Sequence, residues 1–430
     1  MSAVPSLRLA ATIARPNPDN PPPMERAAGM EVVEELCSFE GRLAGTDAER
    51  RAANRMAERL RAAGRRADVE PTYVHPQFAL VHAAHCALGI AGSLIAVAVP
   101  ALGFGLVLAA ATSMYLDLDY RFYLVRRLFF RRASQNVVSR GERPDLPARV
   151  VLTAHLDAAK TGAVYAPKRA RRSAKLAARH SWFGPFRFLF WSLALLLPAL
   201  GARMAGLDSD VISAIQLPPT LVLLIGVFAL VDIELSDVVP GANDDASGVA
   251  TALAVAADLD ADPAEHLDVW VVLAGAEECL QEGMRSFVRA HRKDLADKRT
   301  YFINLDTVGH GDVRFHGSGG WAVAYPADRR LFELATAIAD ADEEEQGRYG
   351  AKPVALALAG DDMPPRIAGF PSIAISCADD DGYVPGYHLP SDTPGNVDPA
   401  ALGRARSFAL ELVRQLDRDV GRRQAEQPSE

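Results

Sequence analysis

The chain has 430 residues, of which 49% are hydrophobic and 23% charged, and a formal net charge of -8. That length supports one large core or two moderate ones, and the composition excludes both a disordered chain and a mere bundle of membrane spans. The acidic balance argues against a general nucleic-acid binder, which needs a basic face to neutralise phosphates, and Cys37, Cys86, Cys279 and Cys377 show no CxxC spacing, which disfavours a disulfide framework or a thiolate zinc site and favours a reducing compartment.

Residues 1–29, with the Pro/Asn run Pro16–Pro23, read as a mobile tail without the apolar core of a secretory signal. From Met30 the pattern is helical, and Thr46 followed by Glu49 forms a capping-box pattern before a helix that Gly64 ends. Residues 68–74 read as a strand. From Phe78 to Leu116 there is no Asp, Glu, Lys or Arg. Since about 20 apolar residues span a bilayer, this stretch fits two short spans turned at Val99-Pro100-Ala101, with His82 and His85 in interhelical or interfacial roles. The following D-L-D-Y-R-F-Y-L-V-R-R-L-F-F-R-R suits a helix at the headgroup level, so residues 78–132 form the first membrane unit.

Two strands, Gln135–Ser139 and Arg149–Ala154, return the chain to a soluble pattern within residues 133–162. Residues 163–235 then hold a basic segment (Lys168 to Arg179), an apolar segment from about Trp182 to Leu207 whose Arg187 and Arg203 are expected to snorkel, and an uncharged run from Val211 to Val231. These form a second membrane hairpin. Residues 236–420 alternate strands and helices, which predicts an α/β fold with a mixed, mostly parallel sheet sandwiched by helices. Residues 421–430 read as a polar tail.

The chemistry-bearing residues cluster at the ends of predicted strands. His155 and Asp157 form H-x-D after V-V-L-T-A, Glu277 and Glu278 follow V-W-V-V-L-A-G-A, Asp306 ends Y-F-I-N-L, and His388 lies in G-Y-H-L-P-S-D-T. Asp244 stands in the tight turn P-G-A-N-D-D-A-S-G just before an Ala/Val-rich helical run, where a carboxylate is aimed outward from a strand-to-helix junction. In open α/β sheets the carboxyl edge is where sites form. Oxygen and imidazole donors without thiolates suit zinc, with manganese or cobalt as alternatives, and the surplus of carboxylates suggests two ions sharing one of them.

The ordered set H-L-D, G-A-N-D-D-A-S-G, G-A-E-E, N-L-D-T-V-G and G-Y-H-x-P-S-D-T resembles the di-zinc aminopeptidase family that includes secreted bacterial leucine aminopeptidases and glutamate carboxypeptidases, as do the early R-L-A-G-T and S-Q-N-V-V. The resemblance implies that His155 and Asp306 bind one Zn²⁺, that Glu278 and His388 bind the other, and that Asp244 bridges them. It further implies that Asp157 orients His155, that Glu277 is the general base, and that the Tyr387 phenol steadies the tetrahedral oxyanion. The sequence departs from the family pattern at E-E-C-L-Q-E-G-M, at Asp362 where many relatives have histidine, and in the long insertion between H-x-D and Asp244.

The resulting expectation is a membrane-anchored zinc exopeptidase, most simply an aminopeptidase acting on peptides, with a catalytically inactive scaffold or receptor and a glutaminyl-cyclase-like acyl transferase as alternatives. The partners are a peptide and the lipid bilayer, with no nucleic acid. Basic runs Arg126–Arg132 and Lys168–Arg179 flank both hairpins on the side of the soluble segments, which places the peptidase domain in the cytoplasm by the positive-inside rule.

Overall fold

A computed structural model describes residues 23–180, 184–345, 347–355 and 358–426. In chain order the helices are α1 (Pro23–Cys37), α2 (Asp47–Ala62), α3 (Phe78–Ile95), α4 (Pro100–Leu118), α5 (Pro167–Arg179), α6 (Pro185–Met204), α7 (Asp210–Leu235), α8 (Ser247–Ala261), α9 (Glu282–Ala290), α10 (Arg292–Ala296), α11 (Arg329–Glu345), α12 (Met363–Ile367) and α13 (Pro399–Glu426). The strands are β1 (Asp68–Val74), β2 (Arg132–Ser139), β3 (Ala148–His155), β4 (Leu267–Ala274), β5 (Arg299–Leu305), β6 (Asp312–Gly319), β7 (Tyr325–Pro326), β8 (Lys352–Ala355) and β9 (Ser372–Ala378). They form one sheet in the order β1-β2-β4-β3-β5-β9-β6-β7, with β8 beside β6.

The central strands β4, β3, β5 and β9 are mutually parallel, and antiparallel strands flank them on both sides. Every residue of β3 and β9 is buried, which is what helices on both faces of a parallel core require, and it explains why both strands are largely apolar. The mixed, mostly parallel α/β sheet expected from the sequence is therefore present. Because the four central strands run together, their carboxyl ends meet at one edge.

Helices α3, α4, α6 and α7 are each long and apolar enough to cross a membrane. Although 66 residues separate α4 from α6 in the chain, the two hairpins pack into one four-helix bundle, α3 against α4 and α7, and α6 against α4 and α7. Small residues permit the close approach: a Cβ on Gly103 would stand 2.4 Å from the Gly92 carbonyl oxygen. Polar side chains tie the helices as well, with His85 Nε2 2.8 Å from Ser113 Oγ, and Gln216 donating to Ser93 Oγ at 2.8 Å. Ile225 and Phe228 on α7 remain about two-thirds exposed, at 68% and 69%, so the outer face of that helix is greasy.

Several expectations are corrected. The tail ends earlier than residue 29, because α1 begins at Pro23; residues 1–22 lie outside the described residues. The basic-aromatic stretch after α4 is not a helix but a loop with one 3-10 turn, Val125–Leu128. Its Arg126 is withdrawn into the protein, bonding Asp117 at 2.7 Å, Glu282 at 3.0 Å and the Cys279 carbonyl at 2.9 Å, and that geometry breaks a helical repeat. Arg187 and Arg203 are drawn to protein partners instead of snorkelling: Arg187 donates to the Gly320 carbonyl, just after β6, at 2.7 Å, and Arg203 donates to Gln216 and Ser213 on α7 and pairs with Asp208 in the turn between α6 and α7. The capping box at Thr46 is half made: Glu49 N–H donates to Thr46 Oγ1, but the Glu49 carboxylate accepts from Gly45 and Ala276 instead of from Thr46. The polar tail is shorter than expected, since α13 continues to Glu426, and residues 427–430 lie outside the described residues, as do 181–183 with Trp182.

Candidate active site and metal centre

The residues singled out in the sequence converge at the carboxyl edge of the parallel strands. His155 closes β3, Glu277 and Glu278 follow β4, Asp306 follows β5, and His388 lies in the loop after β9. Asp244 reaches the same place from the turn before α8. Its two carboxylate oxygens face different imidazoles: Oδ1 is 3.2 Å from His155 Nε2, and Oδ2 is 3.1 Å from His388 Nε2. His388 Nε2 also lies 3.5 Å from Glu278 Oε2. His155, Asp244 and Glu278 offer donor atoms close enough to share one cation, and so do His155, Asp245 and Asp306.

These two groups differ from the expected ligand sets: His388 belongs to neither, His155 joins Glu278 in the first, and the second holds Asp245 in place of the bridging carboxylate. The Asp245 oxygens already accept three backbone N–H bonds, from His155 at 3.0 Å, Gly248 at 2.9 Å and Thr307 at 3.1 Å. Asp245 thereby pins three loops together and is a poor candidate for a ligand. Asp157 does similar work. Its carboxylate accepts from the backbone of Glu277 at 3.0 Å and of Glu278 at 3.1 Å, while Oδ1 stands 3.5 Å from His155 Nδ1.

The donor set fits a divalent cation. Glu278 Oε1 is buried without a hydrogen-bond donor and Asp244 Oδ2 faces only the His388 imidazole, a costly arrangement unless something positive stands between them. Burial, joined by the repulsion of Asp244 and Glu277, pushes Glu278 well above the usual carboxylate range. Burial and neighbouring carboxylates likewise push Asp306 up to about 6. Asp244 moves the other way: burial would raise it, but hydrogen bonds from His155 and His388 outweigh that and hold it well below the usual range. Oxygen and nitrogen donors without thiolate are the chemistry of zinc or a similar ion.

Sequence reasoning missed the groups that hold this edge in place. Arg42, from the R-L-A-G stretch, is fully buried and donates to the carbonyls of Leu156, Leu36, Pro240 and Gly241, clamping the end of β3 to the turn that carries Asp244. Asp392 accepts from the backbone of Asn243 at 2.7 Å and Asp244 at 3.1 Å, and burial pushes its carboxyl up to about 7. The ring of Tyr387 stacks on His388 at 4.0 Å, and Tyr165 lies 4.4 Å from the same imidazole.

Gln281 is the most consequential omission. Its amide nitrogen donates to Glu277 Oε1 at 2.5 Å and to the Ala359 carbonyl at 3.0 Å. Its own oxygen accepts from Tyr120 Oη at 2.5 Å and from Trp321 Nε1 at 3.1 Å. Tyr120 comes two residues after α4, so the first apolar hairpin reaches the Glu277 carboxylate through Gln281. Gln281→Leu is expected to lower kcat roughly tenfold, the worth of one hydrogen bond to a charged group, with KM and metal content unchanged. Steady-state kinetics with elemental analysis checks this, and an unaltered kcat would show that Glu277 needs no such support.

The motif set and the sheet edge agree with what a comparison of the sequence finds. Residues 227–413 match peptidase family M28. The matched stretch contains Asp244, Glu277, Glu278, Asp306 and His388 and leaves out His155 and Asp157. No curated protein matches the chain by sequence. Among solved structures, a zinc aminopeptidase from Bacillus subtilis is similar, with a TM-score of 0.53 at 14% identity, covering 92% of this chain and 96% of that one. A leucine aminopeptidase precursor from Bacteroides thetaiotaomicron gives 0.51 at 16%, covering 90% and 96%. A glutaminyl cyclase from Fimbriiglobus ruber gives 0.52 at 14%, covering 91% and 95%. At such identities the likeness is one of fold, and with the M28 match it supports a zinc metallopeptidase.

Proposed function

We propose that this chain is a membrane-anchored M28-type exopeptidase, an aminopeptidase that uses two zinc ions. The observation that carries the reading is the Asp244 carboxylate lying between His155 at 3.2 Å and His388 at 3.1 Å, with Glu277 buried beside them. His155 and Asp306 would hold one ion, Glu278 and His388 the other, and Asp244 both. When bound, the ions polarise the scissile carbonyl and make water more acidic.

The remaining work falls to side chains. Glu277, oriented by Gln281 and by its backbone bond to Asp157, accepts a proton from the attacking water and returns it to the leaving amine. Tyr387 offers its hydroxyl to the oxyanion, and burial next to Asp244 and Glu278 holds that phenol well above its ordinary range, so it stays a donor. Asp157 fixes the His155 imidazole from the Nδ1 side.

Leu280 and Trp321 belong to the same apolar cluster as the membrane helices, so the wall behind Glu277 adjoins the bundle. This supports short hydrophobic peptides as substrates in preference to large soluble proteins. The test is a fluorogenic aminoacyl panel together with glutaminyl-peptide cyclisation, run on detergent-extracted protein of known zinc content. Hydrolysis with two zinc ions per chain is expected; cyclisation alone would replace the peptidase reading, and no turnover with zinc bound would leave a scaffold.

The peptidase domain is placed on the cytoplasmic side. Arg127, Arg131 and Arg132 follow α4 and the basic helix α5 precedes α6, so these charges sit at the hairpin ends that join the sheet domain, and the four cysteines are unpaired. A cysteine introduced at the exposed Arg329 is expected to resist a membrane-impermeant reagent in intact cells and to react after permeabilisation. Labelling before permeabilisation would reverse the orientation.

A further inference from the structure

A cavity of about 430 Å³ lies where the first hairpin joins the sheet domain. Its walls come from both ends of that hairpin: Tyr73 and His75 precede α3, and Tyr123, Arg127 and Arg131 follow α4. Chain connectivity therefore fixes its depth. His75 stands three residues before the first residue of α3 and Tyr123 five after the last of α4, so when the hairpin spans a bilayer the cavity opens in the headgroup layer. The fourth wall is α9, which contributes Arg285 and Arg289.

The charge of this cavity is unusual for an acidic chain. None of Arg127, Arg131, Arg285 and Arg289 has a carboxylate within ion-pair distance among the described residues. Many arginines elsewhere do pair, as Arg59 does with Glu31 and Glu35, and Arg65 with Asp260. Three of them are held by aromatic faces and a carbonyl instead: Arg127 lies over Phe122 at 4.1 Å, Arg131 over Tyr73 at 5.2 Å and Arg285 over Tyr123 at 4.0 Å, while Arg285 also donates to the Arg121 carbonyl. Arg285 Nη1 is buried with no acceptor. The one acidic group in the wall, Glu282, is already engaged by Arg126 and by the His75 backbone and ring.

Two further side chains identify the medium. Leu128 and Phe130 lie between Arg127 and Arg131 in the loop and are 84% and 81% exposed. Apolar side chains that protrude beside unpaired guanidinium groups match an interface of acyl chains below and phosphates above.

We propose that this cavity binds the phosphodiester of an anionic phospholipid, with Arg127, Arg131, Arg285 and Arg289 as the phosphate ligands and Leu128 and Phe130 dipping beside it. The site rests on the membrane-spanning reading and is independent of the zinc chemistry. Guanidinium forks suit phosphate oxygens, and a cavity rimmed by four of them, unlike a scattered basic patch, selects a headgroup from the bulk anionic surface.

The test uses the full chain in nanodiscs of phosphatidylcholine with a minor fraction of phosphatidylglycerol, reading lipids retained after detergent release by native mass spectrometry. Wild-type protein is expected to retain phosphatidylglycerol selectively, and the Arg127→Gln, Arg131→Gln double variant to lose roughly tenfold in that selectivity. Both positions are exposed, so the fold is not at stake. A control pair, Arg50→Gln with Arg51→Gln, removes the same charge at an exposed site elsewhere and should retain the lipid as wild type does. Equal loss in the control, or no loss in the double variant, overturns the site. Inorganic phosphate forms a separate arm: if it binds the detergent-solubilised chain in an Arg127- and Arg131-dependent way while phosphatidylglycerol is not retained, the cavity is a soluble-anion site and the lipid assignment falls. Release of the chain from native membranes by alkaline carbonate would defeat the membrane reading itself, an outcome distinct from loss of lipid selectivity in an integrated protein.

Discussion

Glu277→Gln is expected to leave zinc content and fold unchanged while lowering kcat by about 10²- to 10⁴-fold, the range for removal of a general base. The substitution is nearly isosteric, and the side chain stays within reach of Gln281. Its amide still fills the buried position beside Asp361 and Asp306 without adding a charge. What disappears is the ability to accept a proton. Single-turnover kinetics on protein of measured metal content separates this from weakened binding. Near-normal turnover would reassign the base, with Asp361 the next carboxylate to test, because both of its oxygens are buried without a partner and its charge is felt by Glu277.

Asp244→Ala is expected to have the broadest effect, removing both ions and all activity together. The carboxylate stands within 3.2 Å of His155 and 3.1 Å of His388, so its loss leaves each half of the site with one donor fewer and no common anion. His388→Ala, by contrast, should weaken one ion preferentially and leave the other. Inductively coupled plasma measurements on both variants decide the matter: one tightly held zinc in active Asp244→Ala protein would rule out a bridging carboxylate. The chelator-treated parent should behave like the Asp244 variant in activity and recover on zinc addition, which the variant should not.

Much of this arrangement is legible in the sequence for a physical reason. A strand buried on both faces is a largely apolar run, so its end is marked by the first carboxylate or imidazole after it, and His155, Glu277 and Asp306 are those residues. The four membrane-length helices announce themselves by the same contrast. What the sequence conceals is contact between residues far apart along the chain. Tyr120 and Gln281 are 161 positions apart, and Arg126 meets Glu282 across 156. Local pattern therefore read Arg126 as part of a headgroup helix, whereas its partners drew it into the interior. Arg203 is a nearer case: it looks like a snorkelling charge until Gln216 and Ser213, 13 and 10 positions away on the next helix, are seen beside it. Glu49 shows the milder case, where a local cap is given up because Ala276, 227 positions away, is a better donor to reach.

The joining of two separate insertions into one bundle has a consequence for how such an enzyme could be set free. A protein tethered by a terminal helix is shed by one proteolytic cut, after which it diffuses away. Here the chain passes between sheet domain and bundle at four junctions, and segments before, between and after the hairpins all supply strands to the same sheet. A nick at any one junction leaves the other three holding. With the bundle in a bilayer, as proposed, the catalytic edge would stay in the membrane plane for the lifetime of the fold, and its encounters with a membrane-borne substrate would be those of a two-dimensional search.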